Sequence, residues 1–145
     1  MSFHPPPAPL HWFDRLTLVL AALLGAMGVS LAAAEAHLAQ GSALHSAALL
    51  ALVTAPACLA LVTAGYAGLL APIVARGLAF LLWLGSFLFG LSLSAKILGP
   101  LLPQEHGLKG LMALISQIPM LAPFGGSLMI LAWILCACAA FLPRR

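Results

Sequence analysis

Few side chains in this 145-residue sequence can do chemistry, and three of them, Glu35, His37 and His45, stand close together along the chain. A carboxylate with two imidazoles at that spacing could bind a metal ion, shuttle protons or, through the two imidazoles, ligate haem. The same residues serve equally as polar ends of two helices at a membrane surface, with His37 bonded to a neighbouring carbonyl. Haem within a bundle ordinarily takes histidines from facing helices, and no histidine here falls in the middle of an apolar stretch. The acids Asp14, Glu35 and Glu105 supply no pair placed for acid–base work. Glycine-rich dinucleotide fingerprints, paired-histidine zinc motifs and nucleophile elbows are absent from the sequence. The expected protein is therefore not an enzyme, with no catalytic residue, cofactor or metal ligand.

Two other sites carry a choice between structure and ligand. Lys96 lies twenty residues after Arg76. On one helix that is about 30 Å, which places the two at opposite interfaces. There Lys96 can snorkel to the headgroups or pair with Glu105, Glu35 or a partner. Pro123, Phe124, Gly125 and Gly126 read as a helix start, with proline pre-organised for the first turn and glycines admitting close backbone approach. The ligand alternative is a helix N-terminus whose free N–H groups face an anion.

The elements that must position these residues follow from composition. Hydrophobic types make up 63% of the chain and charged types 6%, with mean hydropathy +1.14. Ordinary globular chains are about 25% charged, so lipid must be the main solvent here. Six Lys and Arg residues scattered over the chain form no basic patch, which excludes nucleic acid as a partner. Cys58, Cys136 and Cys138 lie inside apolar stretches and read as small buried hydrophobes.

A bilayer core takes about 20 apolar helical residues to cross. The uncharged stretches 16–34, 36–75, 77–95 and 110–143 predict an all-α membrane protein with four transmembrane helices in a compact bundle. Residues 1–15 form a Pro-rich arm, and residues 16–143 a single domain with helices over about 16–35, 44–70, 77–98 and 124–142. A kink is expected near Pro56, and Pro72 closes the second helix. Leu108–Ile118 is expected as a short interfacial or re-entrant segment before helix four. The first stretch imitates a secretory signal, but its length is that of a span, and it is retained as one. Four spans put both termini on one side, with Arg15, Arg76, Arg144 and Arg145 opposite Lys96 and Lys109. The positive-inside rule makes that side the cytoplasm, or the matrix in a mitochondrion.

Small residues recur every fourth position, as in Ala22, Ala26, Ser30, Ala34; Ala47, Ala51, Ala55; Ala60, Ala64, Gly68; Ser86, Gly90, Ser94; and Ala132, Cys136, Ala140. Such stripes let membrane helices pack closely. Phe80, Trp83 and Phe87 recur at three and four residues and form a broad aromatic face on which a partner helix could dock.

A sequence of local signatures carries a resemblance. Leu20–Gly25 leads to Ala36 and His37. Leu44 and His45 open the second stretch, followed by Leu84–Gly90 with Ser92 and Leu93. Ala122–Gly126 comes seven residues before Trp133. This resembles the YgdD-like family, domain of unknown function four-two-three, small bacterial inner-membrane proteins with a mitochondrial transmembrane relative. The chain departs from the pattern at Glu35, where the family has glycine, and over Leu98–Gln117. The resemblance implies a small multi-pass inner-membrane protein and no activity.

The functional expectation is a non-catalytic accessory or assembly subunit, packed against a larger membrane complex such as a respiratory one. Alternatives are a small transporter or channel lined by Thr54, Thr63, Ser86, Ser92, Ser94 and Gln117, and an electron-transfer anchor using His37 and His45.

Overall fold

The structure, a computed structural model, describes residues 10–38, 43–98, 100 and 117–141. Among these residues there are four α-helices: α1 (Trp12–Leu38), α2 (Leu44–Tyr66), α3 (Pro72–Leu98) and α4 (Ala122–Ala139), the last preceded by a 3-10 turn at Ile118–Leu121. All four spans are long and apolar enough to cross a membrane. The chain is an all-α, multi-pass membrane protein. α2 packs against both α1 and α3, α1 meets α3 over a shorter length, and α4 lies along α3.

The helices begin and end where local chemistry allows. α2 closes with a Schellman turn: Gly68 takes φ +69°, the N–H of Leu69 donates to the carbonyl of Ala64, and that of Gly68 to the carbonyl of Gly65. This ends α2 at Tyr66, earlier than the expected residue 70. Pro72 does not terminate α2 but opens α3, where its missing N–H costs nothing in a first turn. α2 runs through Pro56 without interruption.

Charged residues misplace two further boundaries. The sequence places the start of α1 at residue 16 and that of α3 at 77, but they start at Trp12 and Pro72, so Asp14 and Arg76 lie inside the helices. The two charges satisfy each other across the bundle and need not mark helix ends. The arm expected over residues 1–15 is thus helical from Trp12. α4 ends at Ala139, short of the expected 142. The segment expected at Leu108–Ile118 falls almost wholly outside the described residues; its last residue, Ile118, opens the 3-10 turn.

The core is made of small and branched apolar side chains. Ala21, Cys58, Ala79, Leu82 and Ala132 form one buried cluster, with Leu24, Ala51, Ala55 and Leu31, Leu44, Ala47, Ala48 forming two others. In lipid such packing is held by dispersion between closely approaching backbones. The stripe Ala47, Ala51, Ala55 is buried as expected, whereas Ala22, Ala26 and Ser30 face outward, as do Ala60 and Gly68. α1 buries Ala21, Leu24, Gly28 and Leu31 instead, and Leu52 packs over Gly28, where an added Cβ would lie 2.9 Å from it. Small residues recur on more than one face of these helices, so spacing alone does not select the inner one.

α4 crosses α3 at two glycines. A Cβ on Gly85 would lie 2.9 Å from the Gly125 carbonyl oxygen, and one on Gly125 would lie 2.6 Å from the Phe89 nitrogen. Ser92 Oγ donates to the Ile118 carbonyl at 2.9 Å and ties the 3-10 turn to α3.

Candidate functional site: a polar clamp at one end of the bundle

The first turns of α1 and α3 and the last turn of α2 meet at the same end of the bundle. They bring Asp14, Arg76 and Tyr66 together. Arg76 Nε donates to Asp14 Oδ1 at 2.8 Å and Nη2 to Oδ2 at 2.7 Å, a bidentate pair. The Tyr66 hydroxyl donates to Asp14 Oδ2 at 2.8 Å and accepts from the backbone N–H of His11 at 3.1 Å. The Asp14 side chain is 3% exposed and that of Arg76 24%. A buried carboxylate is tolerated when its oxygens are bonded and its charge is matched, and both conditions hold here. Thr17, one turn along, is buried with its hydroxyl bonded to the Phe13 carbonyl.

Beside this clamp lies a cavity of about 70 Å³, lined by the polar residues Asp14, Tyr66 and Arg76 together with Val62, Gly65, Pro72 and Ala75.

The opposite end holds the residues singled out from sequence. His45 Nδ1 donates to Glu35 Oε2 at 3.0 Å, linking the last turns of α1 to the first turn of α2, with side-chain exposures of 61% and 19%. His37 is exposed on α1. Lys96 is exposed in the last turn of α3, at the end opposite Arg76 as its spacing requires. Among the described residues, no three His, Cys, Asp or Glu side chains converge.

Of the α4 candidates, Gly125 is buried in the crossing with α3, whereas a Cβ on Gly126 would meet Phe89 Cδ2 at an ordinary 3.9 Å. Pro123 is exposed in the first turn. The aromatic row is partly an internal feature. Trp83 Nε1 donates to the Leu20 carbonyl at 3.0 Å, and its ring stacks on Phe87 with centroids 5.2 Å apart. Phe80 is the exposed member of the three. Cys58 is buried with its thiol on the Ala79 carbonyl at 3.3 Å, but Cys138 is exposed, contrary to a buried role for all three cysteines.

Sequence reasoning missed the clamp because it read Asp14 and Arg76 separately, as flanks. A usable signal existed: in an up-and-down chain the starts of helices one and three and the end of helix two share a side. Opposite charges just inside those two starts, with a tyrosine at that end, are placed to meet.

Fold and clamp together define a multi-pass integral membrane protein whose first and third helices are joined by an ion pair with a buried carboxylate, to which a tyrosine of the second helix also bonds. Comparison with family models, curated proteins and solved structures finds no match for this chain.

Proposed function

We propose that the chain is a non-catalytic accessory or assembly subunit that packs against a larger membrane-protein complex. The observation that carries this reading is the isolation of α4. Only 17% of its span window is buried within the chain, against 39% for α2 and for α3. Phe124, Ile130, Trp133 and Ile134 point outward along it. A helix held along one neighbour offers most of its circumference to another protein. Purification in a gentle detergent should bring down a stoichiometric membrane partner. Recovery of the chain alone, together with solute flux in liposomes, would sink the proposal.

The aromatic face enters this reading through Phe80, since Trp83 is engaged with α1. Phe80→Ala should weaken partner retention without unfolding the bundle. The transporter reading draws on Thr54 and Ser86, two buried hydroxyls that lack a hydrogen-bond partner. The electron-transfer reading would need His37 and His45 as haem ligands, and a visible spectrum of the purified protein tests it.

Kinship with the YgdD-like family is part of the proposal and rests on the sequence signatures. With it comes residence in a bacterial inner membrane, or its mitochondrial counterpart, with both termini in the cytoplasm or matrix. Single cysteines at Ser2 and Ser42, in a background lacking native cysteines, should label from opposite sides, with Ser2 inside.

A further inference from the structure

We propose that the Arg76 guanidinium and the cavity beside it bind a phosphate-type oxyanion at headgroup depth. A guanidinium carries five N–H donors. Asp14 accepts two of them. The neighbouring hydroxyl of Tyr66 gives its own hydrogen to Asp14 and already accepts from His11. Even with one further bond to that oxygen, donors remain unspent on Arg76.

The burial of the pair is lopsided in the direction a binding site needs. Both residues line the cavity, but Asp14 is 3% exposed against 24% for Arg76, so the cation is the more accessible of the two and the carboxylate's charge is already spent on it. The carboxylate fixes the guanidinium in place and keeps its fork oriented, which is the geometry in which arginine excels at phosphate. Depth fits as well. α3 has 27 residues and is about 40 Å long against a hydrocarbon core of about 30 Å, so it overshoots by about 5 Å at each end. Arg76 stands four residues past Pro72, about 6 Å in. That is the boundary where lipid phosphates and esters lie. The apolar walls from Val62, Pro72 and Ala75 suit the glycerol shoulder of such a group.

The same chemistry is offered by a phospholipid headgroup and by a free phosphate. The purified full-length protein in neutral detergent would be titrated with short-chain phosphatidylglycerol, with diacylglycerol of the same tails, and with inorganic phosphate. Thermal midpoint and bound lipid in native mass spectrometry are the readouts. Phosphatidylglycerol should be retained and should raise the midpoint, and diacylglycerol should do neither. A response to inorganic phosphate as well, or alone, would support the oxyanion site and assign it to a free ligand. Arg76→Lys, which keeps a charge for Asp14 but loses the fork, should weaken binding about tenfold. Arg15→Gln, removing an exposed neighbouring cation, should leave it unchanged. Equal binding of diacylglycerol, equal binding by Arg76→Lys, or equal loss in Arg15→Gln would each overturn the proposal. The diacylglycerol comparison uses the unaltered protein and stands even if a variant fails to fold.

Discussion

The two ends of the bundle each carry an acid paired with a base, and they use it differently. At one end Asp14 is buried, bonded three times and shared by three helices. At the other, Glu35 meets His45 through one bond between consecutive helices, with the imidazole mostly in solvent. Both pairs have good distances. What separates them is how much water each partner would lose or regain if the other were removed. An exposed partner returns to water at little cost, whereas a buried carboxylate has nowhere to go.

The largest effect should come from breaking the buried pair. Arg76→Gln leaves an uncompensated carboxylate inside the helix cluster, and most of the folded yield in mild detergent should be lost. Asp14→Asn should be damaging but less so, because Arg76 can reach the headgroups. The double variant should recover much of the loss, since no unpaired charge remains. If it is no better than Arg76→Gln alone, the clamp contributes shape rather than charge balance.

Next comes a region with no charge at all. Gly125→Leu should destabilise the α3–α4 crossing by about 1–3 kcal/mol or more, because the added atoms meet backbone that cannot step aside. Gly126→Leu should cost clearly less, its neighbour being a movable phenyl edge at 3.9 Å. Thermal unfolding of the two variants side by side measures the difference, and equal losses would refute the assignment of Gly125 to the crossing. A smaller change is expected for Trp83→Phe, about 1 kcal/mol, the loss of one hydrogen bond to the Leu20 carbonyl.

Smallest of all should be Glu35→Gln, below about 0.5 kcal/mol because the imidazole it releases is mostly in solvent, with His45→Ala somewhat larger because Glu35 is only 19% exposed. A midpoint drop in either that rivals Arg76→Gln would erase the distinction between the two ends.

Much of the fold is legible in the sequence for one reason. Solvent preference is a property of each side chain taken singly, so long runs such as Gly77–Ala95 declare membrane spans without knowledge of their neighbours. The placement of Lys96 and Arg76 at opposite ends is legible too, because rise per residue is fixed by the helix. The boundaries were harder, since proline and charge act differently at the two ends of a helix. Pro72 reads as a stop but is a start, and the stop is Gly68 in its left-handed conformation.

By itself, then, the sequence determined the solvent, the helical class, the number of spans and which residues share an end. Tertiary structure decided which row of each helix faces inward, that Gly125 rather than Gly126 sits in the crossing, and that Asp14 and Arg76 form a single unit. These last are free energies between residues far apart in the chain. Asp14 could be buried inside α1 only because a helix some sixty positions later presents the guanidinium that satisfies it, and no local window of sequence contains both.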